Sequence, residues 1–365
     1  MSGAQTSPAL HPQSAPHLRV GMSTRRMTWL AVASLVPALG FGLALFGIPG
    51  LVVVGVSIGS ALLAELATTL PFRRFTLADG SALLTGLIVG LLLPAGVPVY
   101  VPAAASAFGI LVIKQSFGGL GRNWMNPAMG GVLFATVSWP GPASWSIPPL
   151  GGAAGPAAPP LEALRSAVSA AGPHGATPLA ALDKAGYAFS SLDASAIDWI
   201  NAHLLAPVGL AFNHGALDVL VGHVPGAIGA SAPLLVLGAA YLLRRRVIRW
   251  QLPVIYLASF AVLSLAAGGL ASGGGWLAGG PGFHLLSGNI VLAAFYAASD
   301  PVTSPLTRTG RWVLGISLGA LTFLMRYFGS WGDGAAAAIV LGNCLTPLLD
   351  QWTSHRPGAA PKGAA

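Results

Sequence analysis

Ten apolar segments, separated by short stretches that carry most of the charged residues, constrain this chain of 365 residues more than any other feature. About 20 apolar residues in a helix cross the hydrocarbon core of a bilayer, and shorter apolar segments are typical of broken helices. Charged residues make up only 8% of the chain, against about 25% in ordinary soluble domains. The sequence therefore predicts an all-α integral membrane protein with about ten transmembrane helices.

The first apolar segment has no small-residue cleavage site, so we expect it to remain as a membrane anchor. The predicted segments are Met27–Ile48, Gly50–Leu70, Ala82–Val97, Val101–Ile113, Ala128–Val137, Ile228–Leu243, Pro253–Ala267, Leu285–Ala298, Trp312–Tyr327 and Ala335–Leu349.

Basic residues cluster on the cytoplasmic side of membrane proteins, so their distribution predicts the orientation of the chain. With the N-terminus inside, fifteen of the 18 lysines and arginines fall on the cytoplasmic side, and only Arg165, Lys184 and Arg326 fall outside. We therefore expect both termini in the cytoplasm. The basic clusters lie between apolar runs and lack interleaved aromatic residues, so the positive charge indicates a lipid bilayer and no nucleic acid as the partner.

The apolar segments divide the chain into a cytoplasmic tail, a five-helix half, a long extracytoplasmic loop, a second five-helix half and a second tail. Because five is odd, similar halves would be inverted across the membrane. Inverted repeats with segments broken by glycine or proline line a substrate or ion site, and such breaks occur at Leu93–Gly96 and Ser299–Pro305. The predicted boundaries are residues 1–26, 27–139, 140–227, 228–350 and 351–365.

Three acidic residues lie in or beside predicted spans. Glu65 lies within the second segment, Asp79 precedes the third and Asp300 follows the eighth. Carboxylates are costly in lipid, so each is a candidate for an ion path. The alternative is that they cap helices or pair with interfacial arginines such as Arg73 and Arg308.

Asn123 and Asn126 lie in a glycine-rich and proline-containing connection between two predicted spans. An amide side chain both donates and accepts hydrogen bonds, so the two residues are candidates for contacts with the edge of a ligand. They equally suit the other role of satisfying backbone groups around a helix break.

The sequence offers few residues for metal or thiol chemistry. His174 and His284 have no partner histidine at the spacing of metal ligands, so we predict no metal site. Cys344 is the sole cysteine, which excludes a disulfide or an iron–sulfur cluster built within this chain. Any redox chemistry therefore requires a bound cofactor.

The extracytoplasmic loop contains the turn sequence Gly175–Leu179, in which Thr177 precedes a proline. Proline forces the preceding residue into an extended conformation, and such a turn exposes the threonine hydroxyl. Thr177 is accordingly either an acceptor for covalent modification or an ordinary surface hydroxyl.

Five motifs in their order and separation resemble the D subunit of the Rnf electron-transport complex and, more distantly, the B subunit of the sodium-translocating NADH:quinone oxidoreductase. The resemblance covers nearly the whole chain. The motifs are Pro16–Leu18, Asp79–Gly86, Lys114–Met129, Gly175–Leu179 and Ser299–Pro305.

The resemblance implies ten spans in two inverted repeats, in a bacterial inner membrane. It implies FMN joined by a phosphoester to Thr177 through a flavin transferase, and a second, noncovalent flavin such as riboflavin near Asn123 and Asn126. It also implies other membrane and redox subunits as partners, in a complex that couples electron transfer to ion translocation.

Three positions depart from the pattern of that family. His174 replaces a serine or threonine, Ala171 replaces an aspartate that a flavin transferase reads, and Ala230 replaces a glutamate. Two other hypotheses therefore stand beside the redox one: a flavin-free channel or transporter for small solutes, and a structural subunit that anchors redox partners.

Overall fold

The computed structural model describes residues 22–73, 75–140, 145–150, 158–171, 178–205, 212–271, 275–277, 279–329 and 333–353. These residues are mostly helical and contain no strand, only an isolated bridge between Pro94 and Ala227. The predicted all-α class is therefore confirmed for the described part of the chain. Two of the described helices, Thr24–Thr69 and Gln251–Leu270, are long and apolar enough to cross a bilayer.

The first helix, α1 (Thr24–Thr69), is a hairpin of two helical arms. Gly47 breaks it with φ 59° and ψ −140°, a conformation that glycine adopts without steric cost. Trp29 in the first arm and Glu65 in the second both bond to the segment 76–78. A straight helix of this length would be about 69 Å long, so the two arms must fold back on each other. They correspond to the first two predicted segments.

The rest of the first half consists of shorter helices. Asn126 caps the last of them, because its side chain accepts from two backbone N–H groups. The helix predicted over Ala82–Val97 ends five residues early, at Leu92, because the approach to Pro94 forces an extended backbone. The helices are α2 (Ser81–Leu92), α3 (Tyr100–Phe108), which continues as a π-helical segment (Gly109–Gln115), and α4 (Pro127–Ser138).

The described residues of the loop between the halves form four helices. They are α5 (Pro160–Ala171), α6 (Pro178–Lys184), α7 (Ser191–Ile200), followed by a π-helical segment (Asn201–Leu205), and α8 (Ala216–Val221). A small outer core joins this region to the second half, and its buried residues are Leu161, Leu182, Tyr187, Val219, Val224 and Phe283.

The second half contains the remaining helices. The predicted segment Leu285–Ala298 is broken, since the chain leaves the helical conformation at Ser287–Asn289. The helices are α9 (Ala232–Arg244), α10 (Gln251–Ala271), α11 (Pro281–Leu286), α12 (Ile290–Leu292) with a π-helical continuation (Ala293–Ala297), α13 (Arg308–Tyr327) and α14 (Ala335–Thr353).

The two halves meet where α2 is interrupted. The carbonyl of Leu91 accepts from the N–H of Gly229 at 2.8 Å, and that of Leu92 accepts from Asn289 Nδ2 at 3.2 Å. A helix end in an apolar environment needs such partners, because an unpaired backbone group there costs several kcal/mol. The break at Leu93–Gly96 is therefore stabilised by the opposite half.

A buried arginine holds the last two helices together. Arg326 near the end of α13 is 2% exposed and forms an ion pair with Asp333, and it also donates to the carbonyl of His284. Its guanidinium lies 5.1 Å from the centre of the Phe260 ring. The topology prediction counted Arg326 among the basic residues on the extracytoplasmic side. In the structure its guanidinium is buried and bonded to other groups of the protein.

Candidate functional site

A cavity, here called the polar cavity, lies among the first arm of α1, the start of α2, the loop before α4 and the loop after Ala297. It encloses about 910 Å³ of empty space, including its open mouth. Most of its wall is apolar, and the cavity is named for the polar side chains that also line it. These include Ser81, Lys114, Asn123, Asn126 and Asp300.

Glu65 forms a buried ion pair beside this cavity. The residue is fully buried, and Lys114 Nζ donates to Glu65 Oε2. Thr76 Oγ1 donates to the other carboxylate oxygen at 2.6 Å. Lys114 is 1% exposed, so both charged groups are removed from water. A buried ion pair is stable only with close contact and further hydrogen bonds.

Ser81 connects this ion pair to Asp79. Its hydroxyl accepts from Lys114 Nζ at 2.5 Å and donates to Asp79 Oδ1, which also accepts from the Ser81 N–H at 2.7 Å. Asp79 therefore accepts from the first N–H group of α2, whose N-cap residue is Gly80. The result is a continuous hydrogen-bonded chain from Glu65 through Lys114 and Ser81 to Asp79, here called the charged chain.

Asn126 joins the two halves at the same cavity. Its Oδ1 accepts from two N–H groups at the start of α4, at 3.0 and 3.2 Å. Its Nδ2 lies 3.3 Å from Asp300 Oδ2 and 3.4 Å from the carbonyl oxygen of Ala297. Asp300 in turn accepts from the N–H of Val302 at 3.1 Å. Both residues thus satisfy backbone groups at helix breaks.

Asn123 differs from Asn126 because part of its amide has no protein partner. Its Nδ2 donates to the carbonyl of Met125 at 2.8 Å, whereas its buried Oδ1 has no hydrogen-bond partner among the described residues. The side chain is 5% exposed. A buried acceptor without a partner costs about 1–3 kcal/mol, and a donor on a molecule in the polar cavity would remove that cost.

Sequence reasoning missed the two residues that connect the carboxylates, Lys114 and Ser81. Lys114 directly follows a predicted span and was counted with the cytoplasmic charges, while Glu65 was expected to pair, if at all, with an interfacial arginine. The two partners are 49 residues apart, so no local spacing reports their contact. The one usable signal was a lysine bordering an apolar segment in a chain with few acidic partners.

Thr177 lies outside the described residues, together with His174. The next residue, Pro178, begins α6 and packs on Gly280, where an added Cβ would lie 2.5 Å from Pro178 Cδ. Leu182 in the same helix is fully buried in the outer core. The residue after Thr177 therefore begins a helix that is anchored on the second half.

A second cavity, here called the outer cavity, lies at the other end of α4. It encloses about 1220 Å³ including its mouth, and its lining includes Trp139, Glu162, Asn289 and Asp333. Burial raises the pKa of Glu162, and the charge of Arg165 partly opposes that effect. The beginning of α4 thus lines the polar cavity and its end lines the outer cavity.

The chain is similar to known proteins over almost its full length. A family model described as NQR2, RnfD, RnfE matches residues 11–358. The chain is 35% identical to the D subunit of the proton-translocating ferredoxin:NAD(+) oxidoreductase complex of Clostridium ljungdahlii, over 93% of each chain. It is 31% identical to the Na(+)-translocating counterpart of Acetobacterium woodii, over 94% of this chain and 93% of the relative. The D subunit of the ion-translocating oxidoreductase complex of Stutzerimonas stutzeri is 34% identical over 87% of each chain.

Proposed function

The chain belongs to the NQR2, RnfD, RnfE family, and from this premise we propose that it is the D-type membrane subunit of an Rnf-type complex. In this proposal it passes electrons through bound flavin while the complex moves ions across a bacterial inner membrane. Its ten spans form two inverted five-helix repeats, with both termini in the cytoplasm. Membership of the family and the names of its relatives support a role as one subunit among several.

The polar cavity is the proposed site of a noncovalent flavin. The observation that supports this assignment is the buried, unpartnered Oδ1 of Asn123, an acceptor suited to an imide or hydroxyl donor. Lys114 and Ser81 add a cation and a hydroxyl to the same wall. When bound, flavin supplies the electron chemistry that the side chains of this protein lack, and the residues of the cavity bind and orient it.

The charged chain and Asp300 are the proposed ion-binding groups. Carboxylate oxygens bind sodium as well as protons, and the names of the relatives specify one ion or the other. Lys114 Nζ contacts one carboxylate oxygen of Glu65 inside the protein, and a buried pair of this kind is stable only with close geometry and further hydrogen bonds. Ser81 both accepts from Lys114 and donates to Asp79, so its hydroxyl transmits a change of charge along the chain.

The Thr177 hydroxyl is the proposed attachment point for FMN, through a phosphoester formed by a flavin transferase. Support comes from the Gly-Ala-Thr-Pro sequence and from the resemblance of its surroundings to the family motif. His174 and Ala171 depart from that motif. Restoring them as serine and aspartate should raise the fraction of modified protein if modification is incomplete.

Peptide mass spectrometry tests the covalent assignment. We expect a proteolytic peptide that contains Thr177 to be heavier by one FMN minus water, and the denatured chain to fluoresce in a gel. Thr177→Ala should abolish both signals without preventing membrane insertion, and Ser169→Ala is the matched control in the same loop. A native chain coexpressed with a flavin transferase that carries no added mass would contradict the assignment and favour the transporter or scaffold hypothesis.

Flavin retention tests the noncovalent site independently. In a Thr177→Ala background, the purified chain should still release flavin on denaturation, and Asn123→Leu should lower that amount at least tenfold. Ser106→Ala is a suitable control, because it removes another buried unpartnered oxygen that does not line the cavity. Equal flavin content in all three proteins would exclude the polar cavity as the site.

A further inference from the structure

A group of arginines lies where α9 ends, α10 begins and α13 begins. Five of them are exposed, and none of the five forms an ion pair among the described residues. Such a concentration of unpaired positive charge is unfavourable unless anions neutralise it. The five, here called the arginine cluster, are Arg244, Arg245, Arg246, Arg249 and Arg308.

A sixth arginine brings the two parts of this cluster together. Arg311 is 6% exposed, and its Nε donates to Gln251 Oε1 at the start of α10 at 3.0 Å. One of its terminal nitrogens donates to the carbonyl of Leu306 at 2.7 Å, so the loop before α13 is held against α10. Arg249 and Arg308 are both near enough to repel Arg311 electrostatically, and the one carboxylate that attracts it is Asp350. The local balance therefore stays positive.

Aromatic and aliphatic side chains continue from the arginine cluster along two helices. Trp250 and Trp312 beside the cluster are 49% and 43% exposed. One turn further along each helix, Val254 on α10 and Ile316 on α13 are 43% and 52% exposed. Along each helix, arginine is followed by tryptophan and then by an aliphatic residue. In one leaflet of a bilayer these residue types match the charged headgroups, the interface and the hydrocarbon core.

We propose that the arginine cluster binds the headgroup of an anionic phospholipid whose acyl chains lie along the exposed faces of α10 and α13. Arginine presents a planar fork of donors that matches phosphate oxygens. A headgroup with two phosphates suits a cluster drawn from two loops better than a headgroup with one. None of the five arginines lines the polar cavity, although Val247 and Ile248 between them do.

An acidic protein surface is the other partner that such a cluster fits, but the tryptophans and aliphatic residues favour lipid. An interface with a water-soluble protein segment would leave the apolar faces of Val254 and Ile316 beyond its edge. A phospholipid contacts the charged and the apolar parts with one molecule. Leu306, in the loop before α13, is 78% exposed. Its position also suits contact with the interfacial layer of the bilayer.

Native mass spectrometry of the full-length, delipidated chain tests the proposal. The chain is titrated with cardiolipin, phosphatidylglycerol and phosphatidylethanolamine of equal acyl length, and we expect affinity to fall in that order. Each basic residue near an anionic headgroup contributes about 1 kcal/mol, so the pair Arg249→Gln and Arg308→Gln should weaken cardiolipin binding roughly thirtyfold. The matched control removes two exposed arginines outside the cluster, Arg73→Gln and Arg122→Gln, and should change binding less than threefold.

Replacing the same two residues of the cluster with lysine separates loss of charge from loss of folding. Arg249→Lys with Arg308→Lys should keep most of the affinity, and all variants should retain the helical circular dichroism of the native chain. Equal binding of the three lipids, or equal losses in the glutamine pair and its control, would overturn the proposal. Complete displacement of the lipid by millimolar inorganic phosphate would also overturn it, in favour of a soluble phosphate ligand. Cross-links from the cluster to an acidic segment of another subunit, with no lipid preference, would assign it to a protein partner.

Discussion

Replacing Lys114 with methionine removes the cation that contacts the buried carboxylate of Glu65, and this perturbation separates a structural ion pair from a functional one. The carboxylate would keep one donor, Thr76 Oγ1 at 2.6 Å, and would lose its ion-pair partner. Breaking a buried pair by removing one partner costs about 3–5 kcal/mol, whereas replacing both charges by neutral groups of similar volume is often neutral. We therefore expect about 3 kcal/mol of destabilisation for the single variant.

The reverse single variant, Glu65→Gln, leaves Lys114 buried without a counter-charge, bonded to Ser81 Oγ and at most to a neutral amide oxygen, so it should cost a similar amount. The contact with Lys114 makes the double variant, Glu65→Gln with Lys114→Met, the cleaner test of function. Its expected cost is about 1 kcal/mol, so the cycle should show a coupling of about 5 kcal/mol in favour of the native pair.

Denaturant-induced unfolding in mixed micelles, followed by circular dichroism, gives these free energies of unfolding. Differences of this size are measurable, because they approach the total stability of many domains. Either of two results would refute the expected coupling: a Lys114→Met variant as stable as the native chain, or a double variant no more stable than the weaker single variant. Ion uptake into vesicles containing the assembled complex then separates the roles, because a stable double variant with full ion movement would make the pair purely structural.

Three further predictions test other parts of the fold. Gly42→Ala should lower the free energy of unfolding by about 1–3 kcal/mol, because its Cβ would clash with the backbone carbonyl oxygen of Ile228. Gly40 has open space around it, so Gly40→Ala should raise the free energy of unfolding by up to about 1 kcal/mol. Thermal unfolding of the two variants tests this difference. The hydrogen bond that His214 donates to Asp198 raises the pKa of His214. The stabilising contribution of this bond is therefore present below pH about 6.5 and is lost as the pH rises through the folded-state pKa. Hydrogen exchange of the amides next to His214 should show less protection at pH 8 than at pH 6, and Asp198→Asn should remove that difference. A topology reporter fused after Gln351 should indicate that the C-terminus lies in the cytoplasm.

The apolar segments predicted most of the helices because helix formation in lipid depends on composition, which is visible in the sequence. The boundaries depended on local backbone geometry and were less accurate. Pro94 gave a usable signal for the end of α2, whereas the π-helical segments Gly109–Gln115 and Ala293–Ala297 have no sequence signature. Each of the ten predicted segments overlaps described helix, and their arrangement as two inverted repeats remains a prediction.

The residues of the candidate site that could be predicted from the sequence are those whose charge is unusual in or beside an apolar segment. Glu65, Asp79 and Asp300 were selected because carboxylates are costly near lipid, and the structure gives each of them hydrogen-bond partners. Their partners were not predictable, because Lys114 and Ser81 approach through tertiary packing. Asn123 and Asn126 looked equivalent in the sequence, and only the backbone contacts around each one separate them.

The two halves interlock through a reciprocal pair of asparagines, and this affects how the site can be tested. Asn126 in the first half donates to the carbonyl of Ala297 at a break in the second, and Asn289 in the second half donates to the carbonyl of Leu92 at a break in the first. Each asparagine also lines a cavity at its own end of the protein. Loss of ligand binding in an Asn126 variant would therefore not distinguish a lost ligand contact from loosening of the two halves. Asn123 caps no helix and bonds only within its own loop, so a change there reports on the contents of the polar cavity.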